Sequence, residues 1–150
     1  MLRQGFFLFI RSKYPHMLNK IEHLGIAVKD IEASNKIFAE LLGVEPYKQE
    51  EVPSEHVLTS FFRIGESKIE LLQATSPDSA IAKFLDKNKE GIHHIAFDVT
   101  DIHAEIKRLT ALGYQMIHAE PKDGADNKII AFLHPKSTNG VLIELCQDRP

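Results

Sequence analysis

The sequence predicts an α+β fold in which one chain contains two related halves, and three observations support that prediction. Two segments match each other, residues 21–28 (IEHLGIAV) and residues 92–99 (IHHIAFDV). Each is rich in β-branched and apolar residues, as strands are, and each leads into an amphipathic helix. Both halves also end in matching segments, KIEL at 68–71 and LIEL at 142–145. Because each half alone would leave a sheet face uncovered, we expect the halves to pack together about a pseudo-two-fold axis.

The order of elements within each half is a strand, a helix and then a hairpin. Asp30 and Asp101 stand where a carboxylate would accept the first free N–H groups of a helix. The predicted hairpins pair strand 57–64 with strand 68–73, and strand 129–133 with strand 140–146, each with turn-forming residues between the strands. We therefore predict an N-terminal extension over 1–16 and a single domain over 17–150, divided into a first repeat at about 18–75, a connecting helix at about 77–88 and a second repeat at about 90–147.

Charge and composition exclude several classes of function. The net charge of −3 provides no basic surface for nucleic acid or membrane, and no apolar run approaches the roughly 20 residues of a membrane helix. The single cysteine, Cys146, excludes an internal disulfide and suits a reducing compartment. Residues 1–16 contain three basic residues and no acid, and we interpret them as an upstream start or frayed extension. We expect a cytoplasmic protein, or a mitochondrial matrix protein if residues 1–16 are a targeting peptide.

Two histidines and two glutamates occupy matched positions of the repeat: His23, His94, Glu70 and Glu144. Side chains alternate along a strand, so each Glu points away from its apolar neighbours, and a carboxylate in such a strand is costly unless it meets a partner. Two imidazoles and two carboxylates form a mixed nitrogen and oxygen donor set for a divalent metal, with two positions of an octahedral ion left open. Any one of these residues alone is more often a hydrogen-bonded core residue, but the repetition of both types favours the metal site.

Small residues follow both histidines, Gly25 after His23 and Ala96 after His94, and they leave room for something other than side-chain packing. Because neighbours in a strand point to opposite faces, we expect Glu22 and His93 on the other face of the sheet. His134 either borders the site or orients the second hairpin, and Cys146 is expected to fill a small space in the core. The remaining histidines are expected to be solvated or loop residues: His16, His56, His103 and His118.

Residues 18–147 contain a set of motifs that together carry a family resemblance: IEHLGIAV at 21–28, AIAKFL at 80–85, GIHHIAF at 91–97, EPK at 120–122, HPKS at 134–137 and GVLIEL at 140–145. On these motifs the chain resembles the methylmalonyl-CoA epimerases of the vicinal oxygen chelate superfamily, which also contains the glyoxalases. The resemblance implies paired βαβββ modules, an acyl-CoA substrate, a homodimer and a divalent metal, Co²⁺ or Mn²⁺ first, with Ni²⁺ or Zn²⁺ as alternatives. It also implies that His23, Glu70, His94 and Glu144 hold the metal.

The implied reaction interconverts (R)- and (S)-methylmalonyl-CoA by removing and returning the C2 proton through a metal-chelated enolate. We predict Glu144 as one base and Glu70 as the other. Some relatives have Gln at the position of Glu70 and a second catalytic glutamate at a position that we align with Thr59 or nearby, so the usual assignment does not transfer intact. Candidates for holding the CoA tail are Lys122, Lys128 and Lys136.

Three other functions remain open for such a chain. A glyoxalase-type lyase acting on a glutathione hemithioacetal would use the same fold and metal set. An Fe²⁺ ring-cleaving dioxygenase needs two histidines and only one carboxylate, which Glu70 argues against. A non-catalytic small-molecule-binding protein of the same fold would need no metal set.

Overall fold

The computed structural model describes residues 18–150, so the predicted extension over 1–16 lies outside the described residues. Within residues 18–150, eight strands and three α-helices follow one another with two short 3₁₀ turns. In chain order they are β1 (Leu18–Ala27), α1 (Ile31–Leu42), β2 (Lys48–Val52), a 3₁₀ turn (Pro53–Glu55), β3 (Val57–Ile64), β4 (Ser67–Ala74), α2 (Ala80–Lys87), β5 (Gly91–Val99), α3 (Ile102–Ala111), β6 (Lys122–Asp123), β7 (Lys128–Leu133), a 3₁₀ turn (Pro135–Ser137) and β8 (Ile143–Asp148). None of these helices is long and apolar enough to cross a membrane.

All eight strands belong to one mixed sheet, in the order β2-β3-β4-β1-β5-β8-β7-β6. Each half supplies four neighbouring strands, and the halves meet where β1 and β5 pair in antiparallel fashion. On either side of that seam the pairing is parallel, β1 with β4 and β5 with β8. Lys122 of β6 reaches Glu55, beside β2, at 2.6 Å, so the two ends of the sheet meet and the sheet is curled. The predicted α+β fold of paired βαβββ modules is confirmed.

The two helices that follow β1 and β5 are fastened in the same way. The side chains of Asp30 and Asp101 accept backbone N–H groups in the first turns of α1 and α3, as predicted. In addition, the amide oxygens of Gln73 and Gln147 accept the first N–H of α1 and α3, at 2.7 and 2.8 Å. These glutamines lie at matched positions after the two KIEL-like segments, so each helix is bonded to the last strand of its own half.

Apolar residues form a core beneath each of these helices. Buried members of the first core are Val28, Ile31, Phe62 and Leu71, and those of the second are Val99, Ile102, Leu109, Ala131, Leu133 and Leu145. Cys146 is fully buried and packs with Ala96 and Ile130, as expected of a small core residue. The first hairpin forms over β3 and β4, whereas the last strand begins at Ile143, three residues later than predicted, because a 3₁₀ turn and Gly140 at φ 83° occupy the connection.

A β-bulge occurs at the same place in each half, on either side of the central seam. Along the β1–β5 pairing, Ile21 lies opposite Phe97 and the next pair is His23 with Ala96, which leaves Glu22 as an extra residue. A bulge bends the strand and breaks the alternation of side chains. The prediction that Glu22 faces away from His23 is therefore wrong, since its carboxylate contacts the His23 ring.

The second bulge leaves His93 as the extra residue, because Gly25 pairs with His94 and Ile26 pairs with Ile92. His93 turns toward its neighbour, and the Nδ1 atoms of His93 and His94 lie 2.9 Å apart. The prediction that His93 lies on the other face is wrong for the same physical reason. The repeat matched Glu22 with His93, and the structure uses both at equivalent bulges.

Candidate metal-binding active site

The strand register places each glutamate in line with the histidine of the opposite half. In one row across β4, β1 and β5, Glu70 lies beside Gly25, which lies beside His94. A Cβ atom on residue 25 would overlap the His94 imidazole, with 2.7 Å to its Nε2 atom. Glycine is therefore required at this position for the ring to lie across the seam, as the small residues in the sequence indicated.

The second row is the counterpart of the first. Glu144 of β8 lies beside Ala96 of β5, which pairs with His23 of β1. Ala96 is fully buried and keeps the row narrow. Because both rows cross the central seam in opposite directions, side chains that are far apart in the chain converge over β1 and β5.

Three of the four predicted ligands meet at one point. His94 Nε2 and His23 Nε2 lie 2.9 and 3.0 Å from the same Glu144 oxygen, and the two ring nitrogens are 3.0 Å apart. Glu70 approaches from the other side of the His23 ring, with its carboxylate 2.9 Å from Nδ1. All four side chains are buried, at 5 or 6 % exposure. The structure thus brings three of the four predicted ligands together, and Glu70 contacts this cluster only through the other ring nitrogen of His23.

Glu22 and His93, which were not predicted to belong to the site, complete the cluster. The Glu22 carboxylate contacts His23 Nδ1, and His93 contacts the Nδ1 atom of His94. A partner on the second ring nitrogen sets the orientation of a ligating imidazole. The sequence did contain a signal for this role, because the repeat matches Glu22 with His93, two polar residues inside apolar strands.

The electrostatics of the cluster follow from carboxylates crowded around imidazoles. Burial alone lowers the pKa of His23, but the charges of Glu70 and Glu144 outweigh it and raise that pKa well above its ordinary value. Burial raises the pKa of Glu144, and the two imidazoles reverse this and hold that pKa well below its usual range. Burial and the adjacent His94 lower the pKa of His93 to about 4, so that ring is neutral at pH 7.

The donor set fits a divalent cation. Buried carboxylates need a positive partner, and among residues 18–150 no lysine or arginine pairs with Glu70 or Glu144. Imidazole nitrogens and carboxylate oxygens together suit Co²⁺, Mn²⁺, Ni²⁺ or Zn²⁺. His23, His94 and Glu144 would hold such an ion, with Glu70 as the predicted fourth ligand, and the ion would take the place of the proton that the carboxylates favour on His23.

The cluster forms one wall of a cavity of about 250 Å³. Lys122 and Lys128, two of the three lysines suggested for the CoA tail, line this cavity, and Lys136 does not. His118 is an exposed loop residue, as predicted, and lies at the rim. His134 accepts the backbone N–H of Lys136 at 3.1 Å, which matches the alternative that it orients the turn.

A third carboxylate, which was not predicted to belong to the site, also reaches the cavity. Glu55 lies in the 3₁₀ turn before β3, lines the cavity and pairs with Lys122 at 2.6 Å. Thr59, four residues later, lines the same cavity, and its buried hydroxyl has no hydrogen-bond partner among residues 18–150. The sequence did contain a signal for Glu55, because it lies four residues before Thr59, the position aligned with the second catalytic glutamate of some relatives.

Comparisons with known proteins agree with this geometry. The sequence profile of the Glyoxalase/Bleomycin resistance protein/Dioxygenase superfamily matches residues 22–132. The ethylmalonyl-CoA/methylmalonyl-CoA epimerase of Cereibacter sphaeroides is 41% identical, over 87% of this chain and 99% of its own.

Two solved structures extend the comparison to three dimensions. A variant of the Streptomyces coelicolor methylmalonyl-CoA epimerase in complex with 2-nitronate-propionyl-CoA is 36% identical with a TM-score of 0.84, and covers 87% of this chain and 95% of its own. A methylmalonyl-CoA epimerase in complex with methylmalonyl-CoA and NH₄⁺ gives the same four values. The resemblance stated from the motifs is confirmed. The chain belongs to the glyoxalase/bleomycin resistance protein/dioxygenase superfamily and, within it, to the methylmalonyl-CoA epimerase family.

Proposed function

We propose that this protein is a divalent-metal-dependent epimerase that interconverts (R)- and (S)-methylmalonyl-CoA. The observation that carries the proposal is that Glu70 and Glu144, one from each half, both contact the buried imidazole of His23 at the wall of a cavity. Epimerisation needs a proton removed on one face of a carbon and returned on the other, which two carboxylates from opposite halves can provide. The relatives that carry this activity in their names support the assignment.

The C2 proton lies between a thioester and a carboxylate and is weakly acidic. The metal would supply Lewis acidity that stabilises negative charge on the substrate oxygens as the proton leaves. The contribution of the chain is to bury the site and to hold His23 and His94 by Glu22 and His93, so that little rearrangement is needed during the reaction.

Glu144 is the proposed base on one face, and two residues compete for the other. Pseudo-symmetry favours Glu70, the counterpart of Glu144. Glu55 has the advantage that it contacts neither imidazole, so it can accept a proton without first leaving a ring nitrogen or a metal. Glu55 is therefore the alternative that the cavity adds to the predicted pair.

Proton NMR of one epimer of methylmalonyl-CoA in D₂O, with Co²⁺-loaded protein, tests the function and the bases together. The wild type should introduce deuterium at C2 and produce both epimers. Loss of one base should stop epimerisation while the remaining base still exchanges the proton of one epimer. Glu70→Gln should show this pattern if Glu70 is the second base, and Glu55→Gln should show it if Glu55 is.

Two controls accompany that experiment. Glu51→Gln, an exposed change on β2, should leave both exchange and epimerisation unchanged. Methylglyoxal with glutathione should give no product, whereas turnover of that pair would assign the chain to the lyases. Absence of deuterium at C2 with the metal-loaded wild type would refute the epimerase.

Substrate binding is proposed to use the two lysines that line the cavity. Lys122 and Lys128 are the lysines that line the cavity, and an ammonium group is a suitable partner for an anionic thioester. Lys122 is 35 % exposed and Lys128 is 12 % exposed, so Lys122 is the more accessible of the two to the CoA tail. Homodimer formation and a cytoplasmic location stay predictions, which light scattering and cell fractionation can test.

A further inference from the structure

We propose that Lys68 is a positioning residue for the metal site: it holds the Glu22 carboxylate against His23 and, through Asp126, fastens the loop that walls the cavity. This inference rests on the proposed divalent-metal site but not on the identity of the substrate. The residues involved form a chain of ionic contacts that runs from Asp126 through Lys68 and Glu22 to His23, one of the candidate ligands.

Lys68 is deeply buried for a lysine, and its ammonium group has two acidic partners. Its side chain is 7 % exposed, and Nζ lies 2.6 Å from Glu22 and 2.7 Å from Asp126. Residue 68 pairs directly with His23 across β4 and β1. One Glu22 oxygen therefore contacts Lys68 while the other contacts His23 Nδ1. Lys128 lies farther from the first oxygen, at 3.7 Å, so Lys68 is the nearer of the two ammonium groups that hold the carboxylate at the ring.

The distal end of the chain is a tight turn from the second half. Asp126 adopts φ 55° between β6 and β7, and its partners all belong to the first half. Tyr47 donates its hydroxyl at 2.9 Å, Lys48 donates at 3.2 Å, and the backbone N–H of Asp126 donates to Glu50 at 3.1 Å. The two residues before Asp126, at 124 and 125, line the cavity. Fastening Asp126 thus fixes one wall of the cavity against the first half.

The direction of the change in metal affinity distinguishes a positioning role of Lys68 from a purely electrostatic one. A nearby ammonium repels a cation, so removal of Lys68 as a charge alone would strengthen metal binding. If Lys68 instead positions Glu22, its removal frees Glu22 from its place beside His23 and weakens metal binding. The expected loss is about 10- to 100-fold, as for other partners of ligating imidazoles.

Lys48 provides the matched control. It also contacts Asp126 and carries the same charge, but it is 37 % exposed and its other partner is Glu50 rather than Glu22. Lys48→Met should therefore leave the metal affinity within about twofold of the wild type, or raise it slightly because a positive charge is lost.

Calorimetric titration of Co²⁺ into wild type, Lys68→Met, Lys48→Met, Glu22→Gln and the Lys68→Met/Glu22→Gln double variant tests the proposal. We expect Lys68→Met to bind Co²⁺ about tenfold or more weakly and to change the visible absorption of bound Co²⁺. In the Glu22→Gln background the further loss should fall below about threefold, because both changes act through one carboxylate. Unchanged or tighter binding by Lys68→Met, or fully additive losses, would overturn the proposal.

Circular dichroism shows whether Lys68→Met folds. If it does not fold, Asp126→Asn decides instead, since it keeps Lys68 but removes the negative charge that Lys68, Lys48 and Tyr47 all contact. We then expect a loss of Co²⁺ affinity of about threefold or more with folding intact, and an unchanged affinity would reject the proposal. Failure of the epimerase assay leaves these outcomes unaffected, because the readout is metal affinity. A wild type that binds no Co²⁺ would refute this proposal even if epimerisation were observed.

Discussion

Gly25→Ala is the smallest change that should disable the site without changing its chemistry. The added Cβ would lie 2.7 Å from Nε2 of His94 and closer still to two other ring atoms. Ordinary carbon contacts are about 3.5–4.0 Å, so the ring must move by more than about 1 Å. Gly25 is not at positive φ, which leaves the backbone of β1 free of strain in the variant.

A displacement of that size is large for a metal ligand. A misplacement of about 1 Å costs on the order of 100-fold in rate, and a disturbed ligand costs about 10- to 100-fold in metal affinity. We expect Gly25→Ala to lower both kcat/KM for methylmalonyl-CoA and Co²⁺ affinity by these factors. The assays are a coupled epimerisation assay and calorimetric Co²⁺ titration.

Gly91→Ala is the matched control, because a Cβ at that position in β5 has open space around it. It should retain wild-type metal affinity and activity. Full metal affinity and full activity in Gly25→Ala would refute this prediction, because the His94 ring would then not need the space beside the Gly25 backbone.

Two further predictions concern groups around the site. Burial raises the pKa of Asp126, but Lys68 and Tyr47 outweigh burial and lower that pKa below its ordinary value. The ionised Asp126 therefore stabilises the fold above about pH 4, and this stabilisation is lost as the pH falls through the lowered pKa. Asp126→Asn should therefore destabilise the protein at pH 7, and urea unfolding should show the difference from wild type shrinking below pH 4; a constant difference would contradict this. Burial, with the charges of Glu144 and Glu22, raises the pKa of the Cys146 thiol, so iodoacetamide at pH 8 should modify Cys146 only in urea, and equal rates with and without urea would refute the burial.

The repeat allowed most of the fold to be predicted, because each element had a counterpart. Matched strands, the Asp caps of α1 and α3, and the first hairpin were all visible as patterns of residue type. The start of β8 was not, because the connection before Ile143 depends on a 3₁₀ turn that has no strong hydrophobic period.

The candidate ligands were predictable for the same reason, since His and Glu recur at equivalent places in apolar strands. Their orienting partners were not, because strict alternation holds only in a regular strand. The bulges at Glu22 and His93 reverse the expected face, and nothing in the local sequence distinguishes a bulged strand from a regular one. Glu55 was missed because its place at the cavity depends on the closure of the curled sheet, a contact between distant segments.

The central claim is that His23, His94, Glu70 and Glu144 share one divalent ion. Anomalous X-ray diffraction from crystals of the Co²⁺-loaded protein measures this directly. We expect a single strong peak about 2.0–2.2 Å from the His23 and His94 nitrogens and from oxygens of both glutamates. A peak elsewhere in the chain, or one that lacks either histidine, would contradict the account.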